Sequence, residues 1–375
     1  MDNAQEKLKE RLKLFDDTVH FRKTDRIPTE CNIWTWAIFD SDLNVTLEEA
    51  VNDWGIMEKV MRNLHERYDF DTYHMPGNRN NGQMTRALGF SSHRIVGDII
   101  NVIDDAKVDD LEAYSADSMM YTWTKVAPKY FKDLTLGQMK QALVAQQSAN
   151  EYTARITDIF NNEYGTTLMS SCYALPPLET LLTYRGLKQF SLDLRKHKEF
   201  YRAYDESQEE AMLAYVNACI DAGKGNCVAD VLTCFMAHNV LNKKQFETLY
   251  WPTIKKVYDL CAERGAVIFN FWEADCIRFA EYFSDYPKGF MIIHPEAEDV
   301  RDVRRAFPNA CIEGGMPIEL LSKGTPQQCV DYAKQLVDDM GDGFIFSTTK
   351  MLSFKSDCTR ENLTAVMDFI HNYRK

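Results

Sequence analysis

Glu273 closes the run AVIFNFWE and His294 closes FMIIHP, so a carboxyl and an imidazole each end a segment too apolar for an exposed strand. A carboxylate placed there needs a proton, a cation or a metal beside it, because an unpaired buried charge is costly. The two residue types therefore admit three readings: metal ligands, a proton-donor pair, or a structural ion pair. A metal needs at least a third donor, and Asp230 in GNCVADV or Glu313 in ACIEGG are the available neighbours. Lys350, following GFIFSTT, either orients a substrate carboxylate or phenolate or neutralises Glu313. His74 in DTYHMP is either a proton donor to a pocket or a hydrogen-bonded core imidazole. Trp34, Trp36, Phe39, Tyr73, Tyr173 and Trp272, with Asn32, Asn270, Cys172 and Ser347 near them, stand on or just after candidate strands. So aromatic a lining suits a flat, largely apolar ligand better than a phosphorylated one; the competing role for each ring is core packing.

Positioning these residues together requires a particular set of elements. Eight short apolar runs read as strands: 27–34, 71–76, 167–173, 225–231, 266–273, 290–295, 310–315 and 343–350. Helical stretches such as KQFETLYWPTIKKVYDLCAERG and PQQCVDYAKQLVDDMGD separate them and close on glycine, a common helix stop. Eight β units alternating with helices predict an α/β fold, a single (β/α)8 TIM barrel over residues 1–375, in which active groups sit at the C-terminal strand ends and the loops beyond them. Residues 1–26 form an N-terminal helical extension, whose Leu8, Leu12, Leu14 and Phe15 suit it to plug the barrel bottom or pack outside it. Residues 77–166 form an insertion after the second strand, holding a hairpin in GFSSHRIVGDIINVID and two or more helices; the barrel reading puts it on the catalytic face.

Composition narrows the function classes. With 45% hydrophobic and 26% charged residues, the 375-residue chain can bury a large core, which excludes disordered, collagen-like and disulfide-dense classes. No apolar run approaches the roughly 20 residues of a membrane helix, and the charged start MDNAQEKLKERLKLFDD lacks a signal peptide's apolar centre, so a cytoplasmic protein is expected. A formal charge of −13 without a basic cluster argues against nucleic acid. The ten cysteines are scattered without a C-x-x-C, as expected of reduced thiols in a reducing or anaerobic cell. Nucleotide, dinucleotide, zinc-protease and serine-hydrolase signatures are missing, and the Gly314-Gly315 pair alone is weak support for a phosphate site.

Four segments, in this order, give the chain a resemblance to the uroporphyrinogen decarboxylase superfamily: FRKTDRIPTECNIW, ALPPLETLLTYRGLKQFSLDLRKHKEF, LNKKQFETLYWPTIKKVYDLCAERGAVIFNFWEAD and GFIFSTTKMLSFKSDCTRENLTAVMDFIHNY. The superfamily also contains methyltransferases of corrinoid-dependent systems. The tetrapyrrole decarboxylases carry an Arg-rich segment after strand 1, where this chain has CNIWTWAIFDSD; without that clamp an octacarboxylate substrate is disfavoured. The thiol-alkylating zinc branch carries His-x-Cys at the end of strand 5 and Cys near the end of strand 8, where this chain reads Asn270-Phe271-Trp272 and Lys350. It resembles most the O-demethylase branch, which moves a methyl group from a phenyl methyl ether to a corrinoid protein and uses carboxylate and histidine zinc ligands. Glu273 and His294 match the Glu…His part of that pattern, while the further upstream Glu falls at Tyr258. The resemblance thus implies a methyltransferase with Glu273, His294 and Asp230 as catalytic groups. Zinc would sit on Glu273 and His294, and the corrinoid would come from a partner protein. Trp34, Trp36, His74, Tyr173, Asn270, Trp272, Glu313 and Lys350 would line the substrate site, and a homodimer fits the family. A tetrapyrrole decarboxylase and a non-catalytic corrinoid- or ligand-binding barrel are the alternatives.

Overall fold

Each of the eight apolar runs delivers a short strand, and all eight run parallel. The computed structural model describes residues 2–74, 93–102, 135–170, 172–223 and 225–374. Its strands are β1 (Glu30–Cys31), β2 (Thr72–Tyr73), β3 (His93–Val96), β4 (Ile99–Val102), β5 (Thr167–Leu168), β6 (Val231–Phe235), β7 (Ile268–Trp272), β8 (Met291–Pro295), β9 (Cys311–Met316) and β10 (Phe344–Thr348). One parallel sheet has the order β1-β2-β5, another β6-β7-β8-β9-β10, and β3-β4 is the antiparallel hairpin expected from HRIVGDIINV. Isolated parallel bridges join the edges of the two larger sheets, Thr29 with Phe346 at one side and Tyr173 with Leu232 at the other. The Phe346 N–H donates to Pro28 O at 2.9 Å and the Leu232 N–H to Cys172 O at 2.8 Å.

Side chains alternate along these strands, and both faces are buried, which is why the sequence shows continuous apolar runs and no polar alternation. One face carries Met169, Leu232, Cys234, Phe269, Phe271, Ile292, Cys311 and Ile345 in a cluster of its own, closed at the strand-start end by Phe15 and Val19 of the N-terminal helix Asp2–Val19. The other face, with Val231, Phe235, Ile268, Trp272, Ile293 and Phe344, joins the larger core shared with the helices. The first is the inner face of the strands. Phe15 and Val19 lie four residues apart, so one helix face meets the strand starts, in keeping with the plug expected of this segment. Arg11 fixes the helix there: its Nε lies 2.9 Å from Asp71 Oδ1 and its Nη1 donates to Gly165 O at 3.2 Å, while Arg26 also pairs with Asp71 at 2.6 Å.

Two boundaries differ from the sequence reading. The fourth strand starts at Val231, where the reading of 225–231 ends, because Asn226 donates its N–H back to Gly223 O in a turn and the apolar run VLTCF does the pairing. Within 77–166, the last part is the helix Leu136–Ile159, continued by a π-helical turn over Phe160–Tyr164. That turn ends beside the N-terminal helix, where Gln5 Nε2 donates to Asn162 Oδ1 at 2.7 Å. This part therefore carries the chain back to the start of β5, and a place on the catalytic face does not apply to it. The rest of the expected insertion, 77–92 and 103–134, lies outside the described residues. Among glycines, Gly265 is required by conformation: it ends the helix Trp251–Arg264 in the left-handed region at φ 61° and hands the chain to β7.

Candidate active site

Five polar side chains interrupt the apolar inner face toward the strand ends. Glu30 comes from β1, His74 follows β2, His294 lies on β8, Glu313 on β9 and Ser347 on β10. His294 Nδ1 is 2.6 Å from Glu313 Oε2, and the Ser347 hydroxyl donates to Glu30 Oε2 at 2.6 Å. His74 Nδ1 lies 3.7 Å from Glu30 Oε1. Glu30 and Glu313 also hydrogen-bond each other side chain to side chain, which two carboxyls do only when one of them carries a proton. Aromatic walls complete the cluster: the His294 ring stacks on Phe271 at 4.5 Å and 4°, and the His74 ring lies 5.1 Å from Phe271 and 5.4 Å from Phe269.

Burial governs the charge state of this cluster. His294 and Glu313 are wholly buried, and Glu30 is 2% exposed. Desolvation pushes the Glu313 carboxyl up to about 8, against the neighbouring Glu30 carboxyl, whose hydrogen bond favours its ionised form. Glu30 is raised too, first by desolvation and then by the neighbouring Glu313 charge. Desolvation lowers His294, so its imidazole is neutral. Glu30 Oε1 and Glu313 Oε1 are buried without a hydrogen-bond partner among the described residues, with His74 Nδ1 3.7 Å from the former. Both amide atoms of Asn32, two residues beyond Glu30, are in the same condition. Buried polar atoms of this kind ordinarily find a partner in protein or ordered water.

The structure sorts the residues expected from sequence. His74, His294 and Glu313 fall within the cluster. Glu273 lies further along β7's direction: the register sets Phe271, not Glu273, opposite His294, and Glu273 Oε1 accepts from the Cys234 thiol at 3.6 Å. Asp230 is a correction. It precedes β6 at the strand-start end, and its Oδ2 accepts the Val267 N–H at 2.8 Å, so it caps a strand entry far from the strand ends. Asn270 and Trp272 are corrections for the same parity reason, since both alternate with Phe269 and Phe271 and point to the helix side. Asn270 Oδ1 takes hydrogen bonds from Thr233 and Tyr258, and Trp272 stacks on Phe235 at 4.1 Å. Trp36 is 3% exposed, donates to Cys358 O at 3.0 Å and packs near Tyr68, which makes it core. Trp34 is tied through its backbone to Leu352 O at 2.8 Å, and Tyr173 packs on the inner-face cluster beside its bridge to Leu232. Lys350 is exposed just past β10, so the partner of buried Glu313 is His294 and not this lysine. Glu30 and Ser347 complete the cluster; Glu30 was not among the sequence candidates, although a lone acid between Thr29 and Cys31 in an apolar run is the kind of signal that exposed Glu273.

Zinc on Glu273 and His294 does not fit the residues as placed. The two side chains are at different levels, Glu313 occupies His294 Nδ1, and no three His, Cys, Asp or Glu side chains among the described residues are grouped to hold a metal ion. All ten cysteines are free thiols.

A second acidic pair lies beside this site. Glu179 is fully buried and accepts the N–H groups of Met236 and Ala237 at 3.0 and 2.9 Å and the Tyr250 hydroxyl at 2.5 Å, past the end of β6. Desolvation raises its carboxyl to about 7, with Glu273 nearby adding to the rise. Its full set of donors makes it a structural brace for the turn after β6.

No curated protein matches the chain. Among solved structures, a methyltransferase from Methanosarcina mazei superposes with a TM-score of 0.64 at 13% identity, covering 97% of this chain and 98% of that one. At that identity the likeness is one of fold. Residues 112–373, more than two thirds of the chain, match uroporphyrinogen decarboxylase (URO-D), and the chain belongs to that family.

Proposed function

We propose that this chain is a corrinoid-dependent methyltransferase that moves a methyl group from a small methoxylated, aromatic donor to a corrinoid carried by a partner protein, on a closed (β/α)8 barrel. The two parallel sheets bridged at both edges support closure. The observation that carries the reaction is the buried Glu30–Glu313–His294 network, with His294 stacked on Phe271: a proton-holding group beside an apolar wall. A methyl ether is a poor electrophile, because its oxygen leaves as an anion unless it is coordinated or protonated as the methyl carbon is attacked. The corrinoid supplies the nucleophile when the partner brings it. This chain's residues bind the ring, exclude water around the ether oxygen and hold the polar groups that meet it.

The family's tetrapyrrole decarboxylation finds little support here. Such a substrate needs inward arginines, and the buried arginines among the described residues are committed elsewhere, Arg11 to Asp69 and Asp71 and Arg185 to Asp193. No helix among the described residues is long and apolar enough to cross a membrane. The test is incubation of the purified chain with reduced corrinoid and a panel of methoxyarenes, following release of the demethylated phenol. Release that depends on the chain supports the reading; a panel that stays intact, alongside carboxylate loss from a tetrapyrrole, overturns it.

A further inference from the structure

The methyl-transfer reading leaves open which group protonates the departing oxygen, and the inner face narrows the choice. Ordinary acids at neutral pH are ionised and cannot donate. Here two carboxyls from strands distant in sequence, Glu30 on β1 and Glu313 on β9, are hydrogen-bonded to one another at 2% and 0% exposure. Two ionised carboxylates in contact in a low-dielectric site repel strongly, so the pair retains one proton and carries a single negative charge. Each half is held from behind by a neutral partner: Ser347 donates to Glu30 Oε2 at 2.6 Å and His294 Nδ1 lies 2.6 Å from Glu313 Oε2. Both held atoms are Oε2; the Oε1 atoms make no hydrogen bond among the described residues, and His74 Nδ1 lies 3.7 Å from that of Glu30. The His294 ring that holds Glu313 is in turn stacked on Phe271, so the pair adjoins an aromatic wall.

We propose that Glu30 and Glu313 form a one-proton carboxyl pair that donates its proton to the oxygen from which the methyl group departs, with His294 as the positioning residue that orients Glu313. This rests on the methyl-transfer reading. In the step, the oxygen–methyl bond breaks with its electron pair passing to oxygen. The acceptor, a reduced corrinoid, contributes the pair that forms its new bond to the methyl carbon. The proton of the Glu30–Glu313 pair bonds to the leaving oxygen, which departs as a neutral phenol, and the doubly ionised pair regains a proton from solvent after the phenol leaves. No external oxidant or reductant is consumed beyond the reduced acceptor. The pair also sets the substrate class: an oxygen able to accept a hydrogen bond is welcome, whereas a carboxylate at that position meets a negative charge with no arginine in the cluster.

The test uses two donors, methoxybenzene and 4-nitro-methoxybenzene, with free reduced corrinoid as acceptor, on the full chain and on Glu30→Gln and Glu313→Gln. The nitro compound leaves as a stabilised anion and has little need of a proton. General acid catalysis contributes on the order of 10²–10⁴-fold, so each variant is expected to lose roughly 10²-fold or more in kcat on methoxybenzene and less than about tenfold on the nitro compound. Equal losses on both donors overturn the acid role while leaving methyl transfer intact. A wild-type chain that demethylates neither donor removes the methyl-transfer reading and the acid role with it. Infrared difference spectra of wild type against each variant at neutral pH give a readout independent of activity and of any misfolding seen by thermal melting. A protonated-carboxyl carbonyl band present in the wild type and lost in both variants is the expected result, and its absence from the folded wild type overturns the shared proton. His294→Asn, which retains a hydrogen-bond donor, is expected to recover more of the methoxybenzene rate than His294→Ala; identical rates in the two would remove the positioning role.

Discussion

Asp230 and Trp272 illustrate how little a residue's type says before its face and its end of the strand are known. Asp230 accepts a backbone N–H at the entry to β6, so Asp230→Asn is expected to leave kcat and KM for the methyl donor within about twofold and to lower stability by about 1 kcal/mol, the ordinary value of one such hydrogen bond. Parallel kinetics and urea unfolding check this; a hundredfold loss of kcat would return Asp230 to the site. Trp272 is 1% exposed against Phe235, His238 and Phe279, so Trp272→Ala should destabilise by about 3–5 kcal/mol, read from the unfolding midpoint, with KM unchanged in the protein that remains folded. The role of Trp272 was not legible because a one-residue change of parity moves a side chain from the inner face to the helix side. Glu30 escaped for a related reason: β1 is only Glu30–Cys31, too short for any period to declare which face the acid takes. Its partner Glu313 lies 283 positions away, and no local pattern connects them.

At the scale of elements, the strand count and order were readable because parallel strands covered on both faces need unbroken apolar runs, and VIFNFW, FMII and GFIF are such runs. Strand ends were less readable where turn residues preceded the run, as at Gly225-Asn226, and this shift alone turned Asp230 from a strand-end into a strand-start residue. The N-terminal helix makes the firmest prediction at this level. Phe15 is 1% exposed and packs against the inner-face cluster beneath the polar site, so Phe15→Ala leaves a void where the strands begin. It should cost about 3–5 kcal/mol in chemical unfolding. The same chain should keep its KM for the donor, since the void lies at the opposite end of the strands from Glu30 and His294. A loss under about 1 kcal/mol would mean that the helix is an appendage and not part of the core.

For the whole molecule, buried carboxyls set the pH response. Desolvation raises Glu313 to about 8 and both Glu179 and Asp205 to about 7. The native chain therefore keeps protons that the unfolded chain releases above an ordinary carboxyl value of about 4. Their contribution to stability is complete below that value and is lost as pH rises through the folded values of 7 to 8. Buried His238, lowered to about 4 by desolvation, works in the opposite sense, because its contribution is lost as pH falls below the ordinary imidazole range. Above that range only the carboxyls act, so the Tm should fall between about pH 6.5 and about pH 8.5. Asp205→Asn, which removes one of the three, should flatten the slope; a Tm that rises across this interval would contradict the assigned burial. The charge of −13 acts in the same direction by self-repulsion as any remaining groups ionise.

The measurement closest to the central claim follows a methoxyarene carrying a ¹³C-labelled methyl group, incubated with the purified chain and reduced corrinoid, by carbon NMR. The account predicts that the label leaves the aryl oxygen and appears on the corrinoid with one equivalent of phenol, and that Glu313→Gln suppresses the transfer from the unactivated ether. Label that remains on the donor in every combination of donor and corrinoid, with the chain folded, would contradict it.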